Sequence, residues 1–240
     1  MKSFAKTTCS ALVLAAIASF GVLSIVRADE ISNIDPAENS DITAPFVYSI
    51  PVVPSGSLIA GISFDETDGE VARDSSQNGN DAIVASDTVW APGMSGGSIS
   101  FDGTDARALI PNDVIGTASV TVCAWYNANT SPAGAILISN SKFSIYINQN
   151  GSISVTNDGI NAVSTSDSII SGAWNHICVA RDTSGTVSVN INDRLSAQGY
   201  AGQPVVGAEV GIGGHPWENN HGWDGMIDDV RIYSGIVNIQ

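Results

Sequence analysis

The sequence predicts an all-β chain folded as a sandwich or jelly roll, and three observations carry that prediction. Short runs in which polar and apolar residues alternate recur through residues 57–240, which is the period of half-buried strands. Gly, Asn and Asp return between these runs at short spacing, as closely spaced strands require. No amphipathic helical pattern extends beyond two turns.

The strands follow in order. Residues 119–126 (SVTVCAWY) begin in alternation and end apolar throughout, like a half-buried strand entering a core. Residues 143–147 alternate, and Asn150-Gly151 then turns the chain into residues 152–155 as a hairpin. Residues 174–180 read as a buried strand. Residues 182–185 form a turn into residues 186–191, and residues 226–233 form the closing strand. Trp90, Trp125 and Trp174 are expected in the core, with His176 as a satisfied core residue beside Cys178.

Composition narrows the partners. The chain has 240 residues, 43% of them hydrophobic, which suffices for a core. Asp and Glu number 24 against 9 Lys and Arg, for a net charge of −15. Nucleic acid is excluded as a partner, because neutralising phosphates needs a basic footprint. Anionic lipid is disfavoured for the same reason. Neutral polymers, cations and basic surfaces remain.

Residues 1–28 read as a secretory signal peptide. Lys2 and Lys6 precede an uncharged run over residues 11–26, and Val26-Arg27-Ala28 fits a cleavage site. The alternative, a membrane anchor, is opposed by a run short of the roughly 20 residues a helical span needs. No other stretch is apolar enough to span. Cleavage leaves an export product, secreted or periplasmic, that is still more acidic. Residues 29–56 carry four Pro, five acids and no basic residue, and are expected to be a linker or extended arm. Residues 57–240 form one domain. Cys123 and Cys178 remain after cleavage. An even pair in an exported chain reads as a disulfide, with two buried free thiols as the alternative.

Several motifs reduce to turns. Gly93-Met94-Ser95-Gly96-Gly97 fits G-x-S-x-G, but a nucleophile elbow needs a strand before it and a helix after it. Here Pro92 precedes and a strand pattern follows. Asp74, Ser76, Asn78 and Gly79 match the first half of a calcium loop. The twelfth position is Ala85 instead of the bidentate Glu such a loop needs, so an Asx-turn loop is expected. Glu66-Thr67-Asp68-Gly69-Glu70 places acids at alternate positions, as a pair of catalytic carboxylates on a strand face would require. Thr67 and Gly69 between them read as a turn instead.

From about Leu58 to Tyr233 the chain resembles the laminin-G-like, concanavalin A-like family. The residues carrying the resemblance occur in family order. They are Ser63-Phe64-Asp65-Glu66, the D-x-S-x-N-G-N segment at 74–80, and G-x-x-x-F-D-G-x-D at 97–105. Residues 120–125 and Trp174-Asn175-His176-Ile177-Cys178 follow, then Gly211-Ile212-Gly213-Gly214 and Gly225-Met226-Ile227-Asp228-Asp229-Val230-Arg231-Ile232-Tyr233. The resemblance implies a two-sheet antiparallel jelly-roll sandwich. The placement of Cys123 and Cys178 is similar to the disulfide of the pentraxin branch. The pentraxin double-calcium site is not implied, because Ser139-Asn140-Ser141-Lys142 lacks the acidic pair it needs.

Calcium enters through the same resemblance. Related jelly rolls hold a structural calcium with an Asp of the final strand against the N-terminal strand, which carries over to Asp228 and, more loosely, to Asp65. Ten acids between residues 65 and 113 against two arginines suit a hard cation. The most distinctive loop is His215-Pro216-Trp217-Glu218-Asn219-Asn220-His221-Gly222-Trp223-Asp224. Trp faces stack on sugar rings, which suits Trp217, and His215, Glu218 and Asn219 can hydrogen-bond a sugar's hydroxyls. Two His and two acids could instead hold zinc, but the spacing of His215 and His221 matches no zinc template. Trp223 is expected in the core. The functional expectation is a secreted, non-catalytic module for carbohydrate or an extracellular matrix component. The alternatives are a structural or assembly protein, pentraxin-like and homo-oligomeric, and a glycoside hydrolase on the same fold.

Overall fold

The computed structural model describes residues 56–129, 134–157, 159, 161–217 and 221–237, and the backbone of two strands near the N-terminus. Those two, Ala15–Ser19 (β1) and Val22–Val26 (β2), pair antiparallel within the unit formed by residues 1–51. The expected cleavage site and residues 29–55 lie outside the described residues.

The second unit, residues 52–240, carries the remaining strands. In chain order they are Leu58–Ile62 (β3), Val71–Ala72 (β4), Ala82–Val84 (β5), Val89–Pro92 (β6), Gly97–Asp102 (β7) and Ala108–Ile110 (β8). Then come Val120–Ala128 (β9), Ala135–Ser139 (β10), Phe143–Ile147 (β11), Ser152–Asn157 (β12) and Asn161–Ser168 (β13). Trp174–Arg181 (β14), Thr186–Ile191 (β15), Arg194–Tyr200 (β16), Val210–Ile212 (β17) and Asp224–Ser234 (β18) complete the unit. No helix occurs among the described residues.

Two antiparallel sheets face each other as a jelly-roll sandwich. The first has the order β13-β12-β11-β10-β17-β8-β5-β4; the second has β16-β15-β14-β9-β18-β7-β6, with β3 also on β18. Alternation explains the packing. Val120, Val122, Ala124 and Tyr126 of β9 and Ile177 and Val179 of β14 point inward to meet Phe143, Ile145 and Ile147 of β11. The opposite face of β9 and β14 carries Thr121, Cys123, Trp125, His176 and Cys178, none of which belongs to the core cluster. Trp223 is fully buried and packs edge-on to Tyr126 at 5.8 Å between centroids. The expectation for Trp223 therefore holds. Trp90, Trp125 and Trp174 are only partly buried. Trp125 and His176 sit on the outward face because register, not hydrophobicity, decides which side of a strand a residue takes.

One charged side chain crosses the interior. Arg181 of β14 is fully buried and lies 5.3 Å over the Phe143 ring of the facing sheet. Its guanidinium donates to the carbonyls of Gly116 and Ala118 at 2.7 and 2.8 Å. Burial pulls its pKa down, opposed by the nearby charges of Asp113 and Asp182. Asp113 accepts from Gly116 N, Asn140 Nδ2 and Gly207 N, so one network locks three loops at that end of the sandwich.

Candidate functional site

The sheet containing β10, β11 and β12 turns a hydroxyl-rich face outward. Tyr146 and Ser144 of β11, Thr156 of β12 and Ile136 of β10 line a cleft of about 310 Å³ together with His215 and His221. Ser139 and Ser144 share a 2.8 Å hydrogen bond across neighbouring strands, and Ser154 and Ser164 share another at 2.6 Å. Strand alternation puts Ser144 and Tyr146 of β11 on this face, while β12 exposes only Thr156 in part and keeps Ser154 buried.

The loop between β17 and β18 lies against this face. Gly213 N donates to Leu137 O and Ile136 N donates to His221 O, which fastens the loop to β10. Gly213 has φ near 78° and a Cβ there would meet the Phe101 ring at 2.9 Å, so only glycine makes this turn. His215 Nδ1 lies 3.1 Å from Ser139 Oγ. The His215 ring packs on Trp217 at 4.6 Å and edge-on to His221 at 5.9 Å. Trp217 keeps 47% of its surface exposed. An apolar aromatic held by its neighbours and still open to solvent, beside hydroxyls and imidazoles, suits a sugar ring that offers an apolar face and a rim of hydroxyls. The structure thus brings together His215 and Trp217. Glu218 and Asn219 lie outside the described residues. Tyr146 and Ser144 were missed as candidates. Tyr146 and Ser144 have outward positions on an alternating strand, but only the folded loop marks that face as a site.

Asp65 and Asp228 also come together, at a junction within the other sheet. β18 pairs with β7 over Asp224–Ile227 and then with β3 from Val230 onward. Asp228 lies where the partner changes. Its Oδ2 accepts from Ser95 N at 3.0 Å, and Asp65 Oδ1 accepts from Gly97 N at 2.8 Å. The Gly93–Gly97 motif is therefore a tight turn between β6 and β7, with no helix after it, held by two carboxylates. Phe64 and Asp229 beside it have positive φ of 54° and 48°, strained values that persist only where the surroundings fix them. Asp228 is fully buried, and its Oδ1 has no hydrogen-bond partner. Burial drives its carboxyl pKa up, against the lowering by the Ser95 and Met94 amides. A buried carboxylate oxygen with nothing to bind fits a cation.

The other acidic motifs behave as turns. The Asp74 carboxylate accepts from Gly61 N, Ser76 N and Asn80 N, while Asn78 and Asn80 side chains donate to the Ile59 carbonyl. The 74–80 loop thus ties itself to β3 as an Asx turn. Partial burial raises the Asp74 pKa, but the hydrogen bonds from Ser76, Gly61 and Asn80 outweigh it and hold the group below its usual value. Glu66, Asp68 and Glu70 lie in the loop between β3 and β4 rather than on a strand. The period-two argument for a carboxylate pair does not apply there.

Cys123 and Cys178 are joined by a disulfide between directly opposed residues of β9 and β14. A disulfide fits an oxidising compartment. No helix of the described residues is long and apolar enough to cross a membrane.

An antiparallel two-sheet jelly-roll sandwich is an architecture that lectin domains share with proteins of other functions. The chain belongs to the concanavalin A-like lectin/glucanases superfamily, whose model matches residues 102–238. No curated protein matches the chain. Among solved structures it is similar to domain 4 of AbnA, a GH43 extracellular arabinanase from Geobacillus stearothermophilus, in complex with arabinotriose. That likeness has a TM-score of 0.62 and 19% identity, over 77% of this chain and 95% of that one. It is also similar to Trypanosoma rangeli sialidase in complex with sialic acid, with a TM-score of 0.61 and 16% identity, over 76% of this chain. The binding domain of botulinum neurotoxin serotype D matches with a TM-score of 0.57 and 13% identity, over 75% of this chain. The chain spans 31% of that sialidase and 48% of that neurotoxin domain. At such identities the likeness is one of fold, and the fold is used by enzymes as well as by binding modules.

Proposed function

We propose that this protein is a secreted, non-catalytic carbohydrate-binding module whose ligand lies on the outward face of β10–β12. The observation that carries this reading is Trp217, exposed and packed at a tilt against His215 beside a cleft lined by Tyr146, Ser144 and His221. The arabinotriose complex of the arabinanase domain supports it, since that domain is matched over nearly its whole length. Glu66, Asp68 and Glu70 offer no strand-mounted carboxylate pair, which favours binding over hydrolysis.

Calcium has a structural part in this reading. Asp228, through its unpartnered Oδ1, and Asp65 would hold the ion where β18 changes partners. Bound there, it would neutralise a buried carboxylate and brace the Gly93–Gly97 turn.

The test is a broad glycan array probed with the purified protein, once with calcium and once with EDTA. A selective signal that is lost in Trp217→Ala is the expected result. A blank array in both buffers, or a signal untouched by Trp217→Ala, overturns the reading.

A further inference from the structure

We propose that the outward face of β9 and β14 is a redox-gated site for a thiophilic divalent cation such as zinc. Cys123, Cys178 and His176 would be its ligands once the disulfide is reduced. The inference is independent of the glycan reading and concerns the opposite sheet.

Geometry carries it. The ligand atoms of Cys123, His176 and Cys178 all lie within 4.8 Å of one another. His176 Nε2 sits 3.6 Å from Cys178 Sγ. Zinc–sulfur bonds of about 2.3 Å and zinc–nitrogen bonds of about 2.0 Å at a tetrahedral angle place those two atoms roughly 3.6 Å apart. The imidazole is thus at ligand distance already. The two sulfurs would need to separate to about 3.8 Å around zinc. Opposed residues of neighbouring antiparallel strands, with Cβ atoms about 5 Å apart, allow that without backbone movement.

The surroundings orient the histidine for this task. Its Nδ1 lies 3.2 Å from Asp193 Oδ1, and its ring stacks on Trp125 at 4.7 Å. A carboxylate on one ring nitrogen fixes the tautomer and leaves the other nitrogen as a lone-pair donor, the arrangement that accompanies metal-ligating histidines. Asp193 is supplied by the β15–β16 turn, where Asn192 and Asp193 both take positive φ, and Asn192 Oδ1 accepts from His176 N. That turn thus holds His176 at two points, its backbone amide through Asn192 and its imidazole through Asp193. Cys178 also lines a cleft of about 280 Å³ that gives access from solvent. Three protein ligands and an open position match a site that keeps a water or accepts an incoming group.

The chemistry balances with a dithiol as reductant. The dithiol gives two electrons and two protons to the Cys123–Cys178 bond and leaves as its own cyclic disulfide. The cation then displaces the two thiol protons and takes the His176 lone pair. Exchange with a small-molecule disulfide, which takes the two electrons and leaves as two thiols, re-forms the Cys123–Cys178 bond and expels the cation, so disulfide and metal exclude each other.

The test uses cobalt as a spectroscopic stand-in for zinc. The purified protein is reduced, freed of reductant under anaerobic conditions and titrated with Co²⁺. The expected result is a thiolate-to-cobalt charge-transfer band saturating at one equivalent and bleached by zinc, with no band in the oxidised protein. His176→Ala should weaken cobalt binding at least tenfold. Asp193→Asn, with the ligands intact, should weaken it about tenfold and shift the cobalt bands, as loss of a ligand's orienting partner does. Circular dichroism of the reduced protein is the control for folding. No thiolate band in folded reduced protein, or equal binding in His176→Ala, overturns the proposal. So does a reduced protein that unfolds and is not restored by zinc.

Discussion

The two outward sheet faces each carry a histidine beside a tryptophan, and they are built differently. On the β9–β14 face, His176 stacks on Trp125, bonds Asp193 and abuts a disulfide; every one of these groups comes from a strand or a two-residue turn. On the β10–β12 face, His215 packs at a tilt against Trp217, but both come from a loop laid across strands made elsewhere in the chain. The first arrangement uses its aromatic to hold a side chain in place. The second leaves its aromatic about half open. The same residue pair is thus a scaffold in one place and an open surface in the other. What separates them is how much of the tryptophan face the fold leaves uncovered.

The largest expected effect breaks the strand-built face. Cys178→Ser opens a loop of 55 residues and should cost about 4 kcal/mol by the chain-entropy account, seen as a lower denaturation midpoint. Glycan binding below the melting temperature should be unchanged. If binding falls with stability, the faces are not independent.

Next is the junction that anchors β18, the strand into which the loop-built face runs. With calcium at a hundredfold excess over its Kd, the ion should contribute about 2.7 kcal/mol, so EDTA should lower the melting temperature by roughly 5–10 °C. Asp228→Asn should remove that response. The sign without metal is opposite. Burial raises the Asp228 pKa, so the folded state keeps a proton that the unfolded state releases. That contribution favours folding at acid pH and is lost as pH rises through the raised value. Asp228→Asn should therefore melt higher than the wild type at neutral pH in EDTA, and no lower. An EDTA-insensitive wild type would remove calcium from the account.

Trp217→Ala sharpens the loop-built face. It should weaken glycan binding more than tenfold, about 1.5–3 kcal/mol, with a melting temperature within a degree or two of the wild type. The smallest expected effect is Asp193→Asn in the oxidised protein. An exposed partner of one imidazole contributes under about 1 kcal/mol, so thermal melts should barely move even though the cobalt titration of the reduced protein should.

Much of the fold was legible because strands announce themselves locally. Alternation over residues 120–126 and 143–147, and Asn150-Gly151 between two such runs, are local facts, and each became a strand or a turn. The Cys123–Cys178 pair was legible from the even cysteine count of an exported chain, and the buried Trp223 from its place in the family pattern. The D-x-S-x-N-G-N loop also read correctly, because an Asx turn is satisfied within a few residues. His176 did not: being two residues from Cys178 put it on the cysteine's face, and whether that face was core or surface depended on the opposite sheet. Arg181 was not read either, since a charged residue at the end of a strand gives no sign that a facing Phe143 and three carbonyls will enclose it.

The sequence by itself determined β9, β11, β12, β14, β15 and β18, the turns between the paired ones among them, and which of their residues share a face, because period and turn chemistry act over a few bonds. It also determined an acidic surface unsuited to phosphate. Only the tertiary structure decided which face is inside, which tryptophan remains open, and which groups meet across long separations. Asp65, Ser95 and Asp228 converge because β18 exchanges one neighbour for another. Those outcomes depend on sheet order and on close packing of the two sheets, and both are properties of the whole chain rather than of any window within it.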